Sequence, residues 1–227
     1  MKKINTTAGE LIQTDLIDDI GGIVHGFGVR GVTQAQYLDA LGIEDRYILD
    51  TNQIHGKVVH CLMYPKGGSI IEGDAFMTDR PGLVCFVRSA DCVPILIADK
   101  KNKAVAAVHA GWKGTALNIV DETLKAMNSV YGTEAVDCVA AIGPAICGKC
   151  YEVGVEVVEA LSKLDINDKW KIDSSHVDLK KANHALLEKL NISEVDVSDS
   201  CTFCDSTFNS WRRDHNEDER QFSFIMV

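Results

Sequence analysis

An α+β fold built on mixed β-sheet is what this sequence predicts, and three observations carry it. Apolar, β-branched runs follow one another with only polar turns between them, as at residues 93–97 and 104–108, separated by Asp99-Lys100-Lys101-Asn102-Lys103. Segments with apolar residues at helical spacing cover them elsewhere, most clearly at 115–131. No linker divides the 227 residues, so a single domain spanning 1–227 is expected. Adjacent strands mixed with covering helices favour a mixed sheet over strict β-α alternation.

The elements follow in order. Residues 22–29 read as a strand and 34–41 as a short helix. Two extended segments, 47–50 and 57–63, flank Gln53-Ile54-His55-Gly56, which reads as the turn between them. Residues 83–87, 93–97 and 104–108 are apolar enough to be buried strands. Over 115–131, Leu117, Val120, Leu124 and Met127 recur at helical spacing, and Gly132 follows as a C-cap. A strand at 136–142, helices at 153–164 and 179–190, and a closing strand at 222–227 complete the pattern.

An apolar share of 46% with 25% charged residues is that of an ordinary globular protein. The net charge of −10 argues against a nucleic-acid partner, because those proteins carry basic fields, but it leaves room for a small anion held by local arginines. No apolar run has the length of a membrane span, so no membrane partner is expected. Met1-Lys2-Lys3 has no apolar block after it, so a secretory signal is not expected either. The eight cysteines then read as thiols, metal ligands or a nucleophile in a reducing, cytoplasmic compartment.

The most informative stretch is His109-Ala110-Gly111-Trp112-Lys113-Gly114, where a buried strand ends in an imidazole and the chain turns on glycines into a helix. His55 and Cys92 occupy comparable strand-edge positions. Two imidazoles and one thiolate suit zinc, with a fourth position open. Zinc at such a site lowers the pKa of a bound water from roughly 15.7 to about 7. The separations match no local zinc motif, however, so on spacing alone a structural role stands ahead, with Cys92 between two apolar strands as a core residue.

Five segments together resemble the bacterial laccase-domain family, also called the multicopper polyphenol oxidoreductase family, whose members are purine nucleoside phosphorylases. They are Asn52-Gln53-Ile54-His55-Gly56, Gly73-Asp74-Ala75, Ala90-Asp91-Cys92-Val93-Pro94, His109-Ala110-Gly111-Trp112-Lys113-Gly114 and Ser210-Trp211-Arg212-Arg213-Asp214. The resemblance implies a mixed β-sandwich with helices on its outer faces, an α/β/β/α arrangement. It implies that His55, Cys92 and His109 are the catalytic, zinc-binding triplet. The implied activities are phosphorolysis of adenosine, inosine, guanosine and S-methyl-5′-thioadenosine, with adenosine deamination alongside. Three positions depart from the family pattern: the segment Val29-Arg30-Gly31-Val32 is short, Lys113 replaces an arginine, and Glu219-Arg220 lacks a preceding glycine.

Phosphorolysis requires an anion pocket. Arg213 is the leading phosphate ligand on sequence grounds and Arg30 the second, since guanidinium matches a tetrahedral anion bidentately. The helix starting near Lys113 would add backbone amides. Deamination requires a carboxylate to shuttle a proton; Asp74 and Asp91 are candidates, and either could instead orient a ligating histidine. Gln53 joins Arg30, Asp74 and Asp91 as candidate substrate-binding residues.

Other readings stand beside this one. Cys92 with His109 as base would make a metal-independent cysteine hydrolase or transferase, and a chain lacking catalysis would be a binding module. Copper would also occupy a site of two histidines and a cysteine, but seven histidines are too few for a multicopper oxidase. Cys147-Gly148-Lys149-Cys150 and Cys201-Thr202-Phe203-Cys204 are two C-x-x-C pairs whose separation exceeds a zinc-ribbon spacer, which ranks them below the His/Cys/His set. The sequence leaves the oligomeric state open.

Overall fold

The computed structural model describes residues 1–43, 51–63 and 70–227. The chain opens with an antiparallel hairpin, β1 (Lys2–Asn5) and β2 (Glu10–Gln13), that the sequence pattern did not signal. Helix α1 (Asp15–Asp18) leads to β3 (Val24–Gly28), inside the strand expected at 22–29. Helix α2 (Gln34–Ala40) matches the segment predicted at 34–41. It starts in a capping box: Thr33 accepts the Gln36 amide, and Gln36 accepts the Thr33 amide. The strand expected at 47–50 lies outside the described residues.

Two sheets form the centre. β8 (Val84–Ser89) and β13 (Gln221–Met226) complete an antiparallel five-stranded sheet of order β1-β2-β3-β13-β8. The second sheet runs β12 (Glu194–Val197), β11 (Cys138–Ile142), β9 (Val93–Asp99), β10 (Val105–Ala110), β7 (Ala75–Thr78), β5 (Val59–Cys61). Its β11–β12 and β5–β7 pairs are parallel and the others antiparallel, so it is mixed as expected. β4 (Thr51–Asn52) and β6 (Ile71–Glu72) form a separate parallel pair.

Side-chain alternation explains how the sheets stack. Cys85, Val87 and Ile225 of the first sheet pack against Leu96, Ala98, Val105, Ala107 and Ala141 of the second. The opposite face of the first sheet presents Val84, Phe86, Phe222 and Phe224 to Tyr37 and Leu38 of α2. The opposite face of the second presents Ile95, Ile97, Ala106, Val108 and Ala140 to a helical layer. That layer contains α3 (Trp112–Ala116), α4 (Ile119–Tyr131), α5 (Val155–Leu161) and α6 (Leu179–Lys189). The result is the α/β/β/α sandwich that the family resemblance implied. Each fully buried aliphatic or aromatic side chain in these layers contributes about 1.5–3 kcal/mol relative to exposure.

One predicted helix divides in two. The run at 115–131 breaks at Asn118, whose left-handed φ of 56° separates α3 from α4. Asparagine tolerates that conformation better than most residues. The break lets the two pieces take different partners: Thr115 of α3 is tied to α6 by the Asn183 amide at 2.9 Å, while α4 packs Ile119, Val120, Leu124 and Met127 onto the sheet. Gly132 ends α4 in the left-handed conformation, as expected of a C-cap. Among the described residues, no helix is long and apolar enough to cross a membrane.

Candidate active site and metal centres

The site lies where strand ends of the two sheets meet. His109 is the penultimate residue of β10, Cys92 sits in the turn between β8 and β9, and His55 follows β4. Their ligand atoms all lie within 4.8 Å of one another. The two imidazole rings meet edge to face, 4.9 Å apart at an interplanar angle of 85°. His55 adopts a left-handed φ of 56° and Asp91, next to Cys92, one of 92°. Such conformations cost free energy and persist where the surroundings impose them.

Asp74 imposes the first of them. It is fully buried, immediately before β7, and its carboxylate accepts the His55 amide at 2.9 Å and the Gly56 amide at 2.7 Å. The same carboxylate lies 2.9 Å from His109 Nδ1, and the Asp74 carbonyl accepts the His109 amide. Burial alone would push this carboxyl up, but His109 and the two amides hold it below the usual carboxylate range. An ionised Asp74 receives Nδ1–H and leaves His109 Nε2 as the ligating atom, the arrangement common behind metal-bound histidines. Burial likewise pushes the Cys92 thiol up, yet the His109 and His55 rings outweigh it and hold it at about 6.

The geometry fits a metal ion. A Cβ placed on Gly111 would lie 3.1 Å from Cys92 Sγ and 3.3 Å from His55 Cδ2, so glycine keeps the space among the three ligands clear. Two imidazoles and a thiolate facing that space form a borderline-soft, three-ligand set with one position left open, the pattern of catalytic rather than structural zinc sites.

The triplet opens onto a pocket of about 860 Å³ whose lining includes Arg88, Trp112, Tyr151, Trp211, Arg212 and Arg220. This volume is in the range of small-molecule sites. Arg212 stacks over the Tyr151 ring at 5.3 Å and donates to the Glu152 carbonyl. Trp112 both lines the pocket and packs against the core.

The remaining sequence candidates fall in different places. Arg213 does not line the pocket; its guanidinium donates to the carbonyls of Thr202, Phe203 and Phe208 and pairs with Asp214. The phosphate-ligand expectation for Arg213 is therefore corrected: its donors are spent on closing a loop. Arg30 is also away from the pocket, paired with Asp214 and Glu219 at the surface. Gln53 lines the pocket, but both ends of its amide bond the Arg88 main chain, at 2.8 and 2.7 Å, which fixes the turn carrying His55. Asp91 lines it too, with its carboxylate accepting from Thr202, Ser210 and the Arg212 amide. It orients no ligating histidine. The helix expected to begin near Lys113 is only the five-residue α3, and Lys113 lies over the Trp112 ring at 5.6 Å.

Sequence reasoning missed Arg88, Trp211, Arg212 and Arg220. Arg212 is next to the chosen Arg213 in α7 (Trp211–Asp214), and adjacent helical residues point about 100° apart, so only the pocket-facing one serves. Glu217 and Asp218 also line the pocket. The four C-x-x-C sulfurs, ranked low on spacing, converge within 4.8 Å of one another.

Comparisons with known proteins agree with this architecture. A family described as multi-copper polyphenol oxidoreductase laccase matches residues 32–227. A Deinococcus radiodurans protein named purine nucleoside phosphorylase is 35% identical over 196 residues, covering 85% of this chain and 75% of that one. A Bacteroides thetaiotaomicron protein of the same name is 34% identical over 203 residues, covering 86% and 71%. The crystal structure of the hypothetical protein YfiH from Bacillus licheniformis superposes with a TM-score of 0.85 at 26% identity, covering 93% of this chain and 95% of that one. YlmD from Geobacillus stearothermophilus gives 0.82 at 25% identity, covering 91% and 92%. With a family match over most of its length and relatives above 30% identity, this chain belongs to the multi-copper polyphenol oxidoreductase laccase family.

Proposed function

We propose that the protein is a zinc-dependent purine nucleoside phosphorylase acting on adenosine, inosine, guanosine and S-methyl-5′-thioadenosine, with adenosine deaminase activity in the same pocket. The observation that carries this reading is the convergence of His55, Cys92 and His109 on a pocket that also holds three arginines and three aromatic rings. The relatives named purine nucleoside phosphorylase support it.

His55, Cys92 and His109 would hold the zinc. When bound there, zinc supplies Lewis acidity toward substrate or solvent at the position the three ligands leave open. The chain's own groups do the rest. Tyr151, Trp112 and Trp211 offer ring faces on which a purine stacks. Arg88, Arg212 and Arg220 supply positive charge for phosphate. Among the described residues, each commits one terminal nitrogen to main-chain carbonyls, of Thr51, of Glu152, and of Asn216 with Glu219. In phosphorolysis a phosphate oxygen bonds to ribose C1′ as the C1′–N9 bond breaks, and the electron pair leaves with the purine, which takes a proton. In deamination a water oxygen bonds to C6 and ammonia departs. Asp74 and Asp91 are engaged in holding the scaffold, so the proton relay falls to Glu217 or Asp218 at the rim.

Copper at the same triplet is disfavoured as the working metal of an oxidase. Among the described residues the metal-ligating clusters are this one and the four-cysteine group, and neither supplies the additional imidazoles a coupled copper centre needs. The cysteine-nucleophile reading has one observation in its favour: Cys92, His109 and Asp74 stand in the order of a catalytic triad, with the thiol held at about 6. It gives His55 and the clear space at Gly111 no role.

Incubation of the purified protein with adenosine, with and without phosphate, tests the proposal. Adenine formed only with phosphate and inosine formed without it are the expected products. Neither product from any purine nucleoside, with zinc bound, refutes it. Iodoacetamide separates the triad reading: a zinc-held Cys92 is protected until chelator is added, a free thiolate is not.

A further inference from the structure

The four cysteines outside the pocket form a second centre. We propose that Cys147, Cys150, Cys201 and Cys204 bind one structural zinc ion, which clamps together the two loops that wall the substrate pocket. Their four sulfurs all lie within 4.8 Å of one another. A tetrahedral Zn(Cys)4 centre with bonds of about 2.3 Å has sulfur–sulfur edges of about 3.8 Å, so a shift of less than about 1 Å closes the cluster on one ion. The cluster is too tight for a multi-iron centre, whose cysteine sulfurs stand on separate metals.

The local backbone is arranged for ligation. The segment 147–150 is a turn in which the Cys150 and Tyr151 amides both bond the Cys147 carbonyl, placing the two sulfurs of that pair on one side. The second pair is matched to it across a bridge between Ala145 and Cys201. The Cys147 amide donates to Cys201 Sγ at 3.3 Å, a contact that favours a thiolate, the form zinc binds. Cys150 and Cys204 are free thiols whose sulfurs share a hydrogen bond at 3.4 Å. Four thiolates around a divalent ion carry two excess negative charges. A lysine lies beside the second pair: buried Lys180 donates to the Ser198 and Ser200 carbonyls at 2.7 and 3.0 Å, immediately before Cys201.

The position gives the ion a purpose. Cys147 and Cys150 immediately precede Tyr151, which lines the pocket, and Cys201–Cys204 precedes the loop that delivers Trp211 and Arg212. At the pocket wall those loops touch through Arg212, on the Tyr151 ring and on the Glu152 carbonyl. A zinc ion behind them would fix their separation. The linear spacer between the pairs is uninformative because strands β11 and β12, neighbours in one sheet, bring the two loops together.

Zinc counting on the full chain, purified without added chelator, tests this independently of the reaction catalysed. Wild type should carry two zinc ions per chain. The triple variant His55→Ala, Cys92→Ser, His109→Ala should keep one, with an all-sulfur first shell by X-ray absorption. Cys147→Ser with Cys204→Ser should also keep one and melt at a lower temperature. Should that pair variant fail to fold, the triple variant alone decides. No zinc in the triple variant overturns the proposal, as does iron in its place. So does a wild-type protein whose eight cysteines are not all alkylated after denaturation in chelator, which would mean that the pairs are disulfides.

Discussion

Replacing Asp74 by asparagine isolates what one buried carboxylate does for the proposed metal centre. Asp74 Oδ1 serves both the His55 amide and His109 Nδ1, and Oδ2 serves the Gly56 amide. Asparagine has one acceptor where aspartate has two. With its oxygen in the Oδ1 place, its NH2 faces the Gly56 N–H and a buried donor is left unsatisfied, at a cost of about 1–3 kcal/mol. With the amide flipped, the NH2 faces His109 Nδ1, and the proton moves to Nε2, where it blocks ligation. Either orientation damages the site. Loss of an outer partner of this kind costs about 10- to 100-fold in metal affinity, equivalent to about 1.4–2.8 kcal/mol. The assay is zinc competition against a chromogenic chelator in the Cys147→Ser, Cys204→Ser background, so that one centre is titrated. Asp74→Asn should weaken binding at least about tenfold, while urea denaturation reports the separate loss of stability. Binding within twofold of the parent would show that Asp74 does not orient His109.

The other predictions divide the arginines and the histidines by role. Arg212→Ala should raise the phosphate KM by about tenfold or more, since a charge-assisted contact is worth about 1.5–3 kcal/mol, and should lower the melting temperature less than Arg213→Ala does, since it gives up one carbonyl contact and the Tyr151 stack; an unaltered KM removes it from the anion site. Arg213→Ala should instead destabilise the fold by about 2–4 kcal/mol, because it strands the carbonyls of Thr202, Phe203 and Phe208; a normal urea midpoint contradicts that. Gly111→Ala should lower zinc occupancy of the His/Cys/His centre without disturbing the four-cysteine one, because its methyl falls 3.1 Å from Cys92 Sγ; full occupancy by metal analysis sinks the steric argument. His25 is fully buried with Nε2 accepting the Thr14 amide, and burial lowers its pKa to about 4. Its unfolded value near 6.5 is higher, so the unfolded chain takes up the proton first and stability falls as pH drops from about 6.5 to about 4. Stability at pH 5 should be about 2 kcal/mol below that at pH 7.5 by this group alone, and His25→Gln should flatten the difference; equal pH dependence in both proteins rejects the assignment.

Much of the sandwich was legible because its period-2 and period-3.6 patterns are strong. Strands β8, β9 and β10 and helices α2 and α6 fall where the apolar spacing puts them. The misses have physical reasons. The edge strand β1 is largely exposed, so its Lys2-Lys3-Ile4-Asn5 carries no burial signal. The β4–β6 pair is two residues long. The helix break at Asn118 depends on a single left-handed residue, which apolar periodicity cannot register.

The site divides along the same line. His55, Cys92 and His109 were raised above a structural reading by the family resemblance, since strand-end histidines and a cysteine between apolar strands are ordinary taken alone, and the fold brings the three together. The pocket arginines did not, because an arginine's role is set by which carbonyls reach it first. Arg213 and Arg212 differ only by one step of α7, yet one is consumed by the Thr202–Phe208 loop and the other faces the pocket. Asp91 links the two outcomes. Its carboxylate accepts from Thr202, Ser210 and the Arg212 amide, while its backbone carries the chain into Cys92. The residue that positions one of the three proposed ligands therefore also sets the start of the helix that presents Arg212 and Trp211. The proposed metal and substrate geometries would thereby be coupled through one buried carboxylate, and a proposed zinc ion behind Thr202 would stiffen the same connection from the other side.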